Sequence, residues 1–246
     1  MGSEMCIRDR FRNYYLKSNY FDTAILIFAL SKEAENKRKP FMALQSLGEV
    51  LHISTLNKVK NTGLDYYHFD EYLQQGNTFG DRIAHATQAI FDKGYQNVII
   101  IGNDTPGLTS KILKDTSKCL KNDTNVIGLS KDGGLYLIGI SKKSFDRDEF
   151  QKLAWEDSQL SSSFLKLMHQ KDANVFCLRT LYDVDSFQDL LKIKLIELGD
   201  LAQFTILLLS SLRSIANNIF FENKLLTSFV YQYILGTRGS PLKFFR

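Results

Sequence analysis

Apolar residues run unbroken through Thr23-Ala-Ile-Leu-Ile-Phe-Ala29 and Val98-Ile-Ile-Ile101. Runs of that length without polar alternation predict strands buried on both faces. Shorter apolar stretches at 66–69, 125–129, 135–140 and 175–178 predict four more strands. Between them the period becomes helical. Residues 41–60 predict an amphipathic helix stopped at Gly63. Thr78 with Asp81 three residues on has the form of a capping box. Ile83, Ala86, Ala89 and Ile90 then make a buried stripe, and Gly94 ends the helix. Further helices are predicted at 109–120 and 164–170, and another beginning at 183 and running to 198. Residues 31–40 hold Lys32, Glu33, Glu35, Lys37, Arg38 and Lys39 and predict a charged loop or frayed turn. Residues 102–107 predict a loop, and Asp132-Gly-Gly134 a tight turn between consecutive strands.

Alternating strands and helices, with near-continuously apolar strands, predict an α/β fold with a mostly parallel sheet and helices on both faces. Ligands of such sheets bind beyond the carboxyl ends of the strands. The loops to inspect therefore begin near Leu30, Gly102, Lys131 and Thr180. From residue 199 the alternation stops. Residues 204–219 and 225–235 predict apolar helices without strands, so 20–198 is expected as the nucleotide-binding domain and 199–246 as a helical appendage. The first ten residues resemble a translated cloning scar and are set aside.

Composition narrows the class. Of 246 residues, 44% are hydrophobic and 24% charged, which excludes a disordered tail or a collagen-like chain. The net charge of +4 is too mild to imply nucleic acid. Cys6, Cys119 and Cys177 are scattered and form no disulfide or zinc framework, which fits a reducing cytoplasm. The apolar runs, Ile206 to Leu209 among them, fall far short of a bilayer span, and no secretory signal is visible. His52, His68, His85 and His169 do not cluster along the chain. Nucleophile-elbow, Walker and Gly-x-Gly-x-x-Gly motifs are absent, so hydrolase, P-loop and simple dinucleotide readings lose ground.

Several residues could carry chemistry. Asp104 follows a predicted buried strand in Gly102-Asn-Asp-Thr-Pro-Gly107. A carboxylate there can hold a hard divalent cation; the structural alternative is an N-cap or Asx-turn before the next helix. Asp132-Gly-Gly134 lets a ligand approach the backbone, or is a plain hairpin. Asp183 and Asp185 fall on one side of an extended segment and offer further metal ligands, unless Asp185 caps a helix. Lys37, Arg38 and Arg82 offer cations to phosphates, or are solvated surface charge. Trp155 either packs on the core or stacks on a base or sugar.

These pieces occur together and in order in a known family. Residues 23–29, Gln74-Gln-Gly-x-x-Phe-Gly-Asp-Arg82, Ile101-Gly-Asn-Asp-Thr-Pro106, Asp132-Gly-Gly-Leu-Tyr-Leu-Ile-Gly139 and Asp183-Val-Asp-Ser-Phe-Gln-Asp-Leu190 carry the resemblance. The chain resembles a bacterial glycosyltransferase-A-like family, domain of unknown function 2064, whose members are labelled glycosyltransferase or selenodomain-associated transferase. The resemblance implies a glycosyltransferase-A or nucleotidyltransferase-like fold with a nucleotide site at the carboxyl edge of the sheet. It implies Asp104 and Asp132 as catalytic candidates, and Asp104, Asp183 and Asp185 as ligands of Mg²⁺ or Mn²⁺. The expected contacts to the nucleotide are Gly76, Arg82, Gly133 and Gly134 within the matching runs, with Lys37 and Arg38 added for their charge alone. The chain departs from the family after the first strand. A Pro-Gly-x-x-Lys-Thr-Arg-Leu stretch is common there; this chain has Leu30-Ser-Lys-Glu-Ala-Glu-Asn-Lys-Arg-Lys-Pro40.

The expected function is a metal-dependent transferase using an activated nucleotide, either a glycosyltransferase or a nucleotidyltransferase. Its partners would be the nucleotide or nucleotide-sugar donor and an acceptor the residues do not name, with no nucleic acid. The alternative is a non-catalytic nucleotide-binding or scaffold protein that keeps the fold with an altered nucleotide loop. Phe204, Leu207, Leu208, Phe220 and Phe229 either build a homo-oligomer surface through the C-terminal helices or simply cover the sheet.

Overall fold

A computed structural model describes residues 22–38 and 47–185, together with Asp189. The set-aside leader 1–10, the start of the helix expected at 41–60, nearly all of the helix expected beyond Asp185, and the appendage at 199–246 lie outside the described residues.

Six strands form one sheet: β1 (Thr23–Phe28), β2 (Asp65–Phe69), β3 (Asn97–Ile101), β4 (Asn125–Ser130), β5 (Leu135–Ser141) and β6 (Val175–Leu181). Their spatial order is β2-β1-β3-β5-β4-β6. β1 pairs in parallel with β2 and β3, and β4 with β6, while β5 runs antiparallel to both β3 and β4. This is the mostly parallel α/β sheet that the alternation of strands and helices predicts. The reversal of β5 follows from its connection. Only residues 131–134 join β4 to β5, far too few for the crossover that a parallel neighbour needs. Gly133 turns that corner at a φ of +97°, and Ser130 N–H donates to the Gly134 carbonyl at 2.9 Å. As a result β5 starts at the edge where β1, β3, β4 and β6 end.

The central strands are apolar on both faces because both are covered. Ala24, Leu26, Val98 and Ile100 pack under α3 (Phe79–Asp92) and α6 (Leu160–Gln170), alongside Phe150 of the short α5 (Arg147–Gln151). Ile25, Ile27, Ile99 and Ile101 point the other way, toward α2 (Leu47–Lys60) and α4 (Ser110–Lys121). Register fixes this sorting: Ile25 pairs with Ile99 and Leu26 with Ile100, so a one-residue slip would exchange the two cores.

Helix α3 starts as its residues predict. Asp81 N–H donates to the Thr78 hydroxyl at 3.1 Å, and Thr78 N–H donates to the Asp81 carboxylate at 3.0 Å. Thr109, and not Asp104, caps α4. Two elements differ from the sequence expectation. The charged stretch after β1 contains a helix, α1 (Lys32–Arg38). Its acids Glu33 and Glu35 lie in the first turn and Lys37 and Arg38 in the last, each favourable to the helix dipole. So short a helix needs outside support. Glu71 supplies it, accepting from Ser31 N–H at 2.6 Å and Ser31 Oγ at 2.5 Å. The other unexpected element is α5, whose Asp146 N-cap accepts from Glu149 N–H at 2.9 Å.

Gly80 is where α3 meets the chain that follows α5. A Cβ there would stand 2.1 Å from the Gln151 carbonyl oxygen and 2.7 Å from Trp155 Cδ1. Gly80→Ala is therefore expected to destabilise the protein by about 2–3 kcal/mol through overpacking. Urea unfolding should show a lower midpoint at unchanged slope.

Candidate active site

The carboxyl edge of the sheet opens into a cleft of about 460 Å³. Phe28, Ala29 and Leu30 enter it from the end of β1, Gly102, Asn103 and Asp104 from the end of β3. Gly134, Leu135 and Tyr136 enter from the start of β5, and Asp183 from beyond β6. These are the loops that the strand pattern singled out. Phe79, Arg82, Trp155 and Glu156 complete the wall on the α3 side.

Asp183 is the electrostatic centre of this edge. Thr105 Oγ1 donates to one of its oxygens at 2.5 Å, and Ser130 Oγ donates to the other. Val184 N–H donates to the Asp104 carbonyl at 2.9 Å, which fastens the two acidic loops together. Burial pushes the Asp183 carboxyl up to about 7. The like charge of Asp104 adds to the rise, and so, more weakly, does Asp132, while the two hydroxyl donors pull the other way. Asp104 and Asp183 thus act on each other as a pair of carboxylates in one cleft.

The other expected site residues divide. Arg82 lines the cleft, its guanidinium 6.0 Å from the Phe79 ring centre. Arg38 lines it too, with Nη2 donating at 3.1 Å to the buried Glu35. Gly134 lines it, and its N–H donates to the Asp132 carboxylate at 3.0 Å. Asp132 itself is exposed outside the cleft lining. Lys37 is exposed and also stands apart from the cleft. Gly76, at a φ of +137°, is required by close packing on the start of α3. A Cβ there would meet Asp81 Cβ at 2.5 Å, and Gly76 does not line the cleft. Gly133 serves the hairpin and rests against Ser158, 3.3 Å from its would-be Cβ. Asp185 is exposed and does not line the cleft. β6 ends at Leu181 and the chain bends, so the strand alternation that put Asp183 and Asp185 on one side does not extend that far. The acidic set facing the cleft is therefore Asp104 with Asp183. Among the described residues no group of three or more His, Cys, Asp and Glu side chains gathers into a metal cage.

Trp155 packs on the core, as one of its two expected roles requires, and also faces the cleft. Its Nε1–H donates to the Phe150 carbonyl at 2.8 Å and its ring packs on Phe79 and Phe150. Tyr136 was not foreseen. Its ring lies across Gly128, its hydroxyl donates to the Arg179 carbonyl at 3.0 Å, and burial pushes its phenol up to about 12. Tyr136 therefore remains a hydrogen-bond donor near neutral pH. Glu35 and Glu156 were also missed, each hidden in a run of ordinary surface charge. The histidines are not all apart either. His52 and His68 bring their rings within 5.1 Å beside the Ala29 carbonyl, and burial followed by His68 lowers the His52 pKa.

A family model described as "Uncharacterized protein conserved in bacteria (DUF2064)" matches residues 60–157. Over this segment, about two fifths of the chain, the sequence is similar to that family. The DUF2064 segment carries the Asp104 loop, the Asp132-Gly-Gly134 turn and Trp155, while the departed stretch after β1 lies outside it. Among solved structures, the chain is similar to a "putative nucleotide-diphospho-sugar transferase" from Desulfovibrio desulfuricans G20. The two are 26% identical over 69% of this chain and 85% of that one, with a TM-score of 0.60. It is more remotely similar to Rv0371c from Mycobacterium tuberculosis H37Rv, at 12% identity over 70% and 96% of the two chains and a TM-score of 0.45. The manganese complex of Rv0371c, at 12% identity over 68% and 95% and a TM-score of 0.39, is more distant still. No curated protein matches the sequence. Among the described residues no helix is long and apolar enough to cross a membrane.

The raised Asp183 carboxyl has a consequence for stability. In the unfolded chain it ionises near its ordinary 3.8, in the folded protein only near 7. Between those values the folded state alone keeps the proton, so stability is lost as pH rises through that window. Without added metal, Asp183→Asn is expected to melt higher than the wild type at pH 8, with the gap closing toward pH 4. Asp104→Asn should narrow the same gap by removing the neighbouring charge. Thermal melts across pH 4–8 in chelator check both.

Proposed function

We propose that the protein is a divalent-metal-dependent transferase acting on an activated nucleotide, and that it moves a glycosyl group from a nucleotide sugar. The observation that carries this reading is the Asp104–Asp183 pair, set with Arg38 and Arg82 in one cleft at the carboxyl edge of the sheet. Likeness to a protein described as a nucleotide-diphospho-sugar transferase favours glycosyl over nucleotidyl transfer.

The donor set fits Mg²⁺ or Mn²⁺. Both oxygens of Asp183 already accept from hydroxyls and its charge repels that of Asp104, a conflict that a hard cation between them relieves. Asp104 and Asp183 would hold the ion, which when bound supplies positive charge to the donor phosphates and the departing nucleotide. The guanidinium of Arg82 reaches phosphate oxygens from the α3 side. Arg38 does so from α1, at the cost of sharing its charge with Glu35. Tyr136 donates and does not abstract a proton, which leaves Asp132 at the rim as the candidate base toward the acceptor. Free Cys119 and Cys177 accord with a cytoplasmic site of action, where nucleotide donors are found.

A second reading, a nucleotide-binding protein without turnover, is favoured by one observation: the stretch after β1 has become a helix whose Arg38 is partnered by a buried acid. Turnover decides between the two. In thermal-shift measurements with Mn²⁺, Mg²⁺ or chelator, one class of nucleotide sugar should stabilise the wild type only when metal is present. At a hundredfold excess over Kd the gain is about 2.7 kcal/mol. Asp104→Ala should abolish the metal-dependent part and lower turnover by at least about a hundredfold, on the order of a lost transition-state charge contact. Unchanged nucleotide binding and metal dependence in Asp104→Ala would exclude this assignment.

A further inference from the structure

Three non-glycine residues among those described have a positive φ: Asp123 at 58°, Glu156 at 61° and Asp172 at 49°. Two have an ordinary reason. Asp123 follows Asn122, the C-cap of α4, and Asp172 follows Lys171, the C-cap of α6. Helices commonly end in the left-handed region, and a short Asp side chain tolerates it. Glu156 has neither reason. It lies in the turn between α5 and α6, beyond the C-cap Lys152, and its side chain is long. Glycine would adopt this backbone without strain.

The turn is held from both sides. Trp155 N–H donates to the Leu153 carbonyl at 2.7 Å and Asp157 N–H to the Ala154 carbonyl at 3.2 Å. Gln159 N–H donates to the Asp157 carboxylate at 2.8 Å, and Trp155 is pinned through its indole to Phe150. Ser158 rests against Gly133 of the β4–β5 hairpin. This frame forces residue 156 into its conformation whatever its side chain. The Glu156 side chain is exposed, lines the cleft next to Trp155, and makes no hydrogen bond or ion pair among the described residues. Strain of this kind, where the surrounding structure imposes it and the side chain repays nothing locally, gathers at ligand sites.

We infer that Glu156 is a specificity-determining residue whose carboxylate accepts hydrogen bonds from the hydroxyls of the sugar carried by the donor. The inference rests on the proposed nucleotide-sugar chemistry. The acidic pair and the arginines take the phosphate end, and an anionic Glu156 repels phosphate. A carboxylate is acceptor-only, with room for two hydroxyl donors, and so suits a pair of neighbouring sugar hydroxyls. The adjoining Phe79–Trp155 wall offers an apolar face to the C–H side of a sugar ring.

The test compares the wild-type full chain with Glu156→Gly and Glu156→Asn, both at home at positive φ. Titration calorimetry in Mn²⁺ would use UDP, GDP and dTDP against UDP-glucose, GDP-mannose and dTDP-glucose. Unliganded, both variants should melt no lower than the wild type; a lower melt would remove the strain argument and the inference with it. Both should bind the free diphosphate as the wild type does and lose about tenfold in affinity for the matching nucleotide sugar. Equal affinity of variant and wild type for the nucleotide sugar would overturn the inference while leaving the proposed function standing. Equal losses for diphosphate and nucleotide sugar would also overturn it, by placing Glu156 against the nucleotide. A wild type that binds none of the six would overturn the proposed function, and this inference with it.

Discussion

The Asp183 carboxylate is where three strand ends meet. It accepts from Thr105 beyond β3 and from Ser130 at the end of β4, and it follows β6 in its own chain. Next to it, Val184 N–H reaches the Asp104 carbonyl, and Lys131 N–H donates to the Leu181 carbonyl at 3.0 Å. Loops that would otherwise move independently are thereby held at one edge. An asparagine could make much of this network without bringing a charge out of water. A carboxylate instead brings repulsion with Asp104, and such perturbed acids concentrate at functional sites. The architecture of the edge and its chemistry therefore depend on the same side chain.

That edge exists because of how the strands are ordered. β5 enters between β3 and β4 in the opposite direction, so its first residues, Gly134 to Tyr136, face the cleft where a parallel strand would have presented its last. The constraint is the length of the β4–β5 connection, and Gly133 makes that length workable.

Much of this was legible in the chain. Continuous apolar runs identified the central strands because burial on both faces leaves no room for polar alternation. Thr78 and Asp81 identified a helix start because capping is local chemistry. Asp104 was legible from its place after a buried strand. What escaped depended on contacts distant in sequence. Helix α1 has no apolar stripe to betray it, and its support comes from Glu71, forty residues away. His52 and His68 meet only because α2 packs beside β2. Asp185 was misplaced because an alternation rule was carried past the end of its strand. Glu35 and Glu156 sit in charge-rich stretches, where exposure is the ordinary expectation, and only the folded chain turns them toward the cleft.

The charges around the cleft bear on the altered stretch after β1. Among the described residues, Glu35, Asp104, Glu156 and Asp183 face it against Arg38 and Arg82, so that part of the lining is net negative when fully ionised. Such a surface repels a nucleotide diphosphate, whatever its shape. Of the described cations after the first strand, only Arg38 faces the cleft, while Lys37 stands apart from it. Here α1 contributes Glu35 together with Arg38, and the two largely cancel. The remaining deficit is concentrated at Asp104 and Asp183, the residues best suited to a divalent cation. The altered order of residues after β1 therefore need not mean loss of the site. On the proposed function, the altered stretch would make phosphate binding lean more on a cation at Asp104 and Asp183.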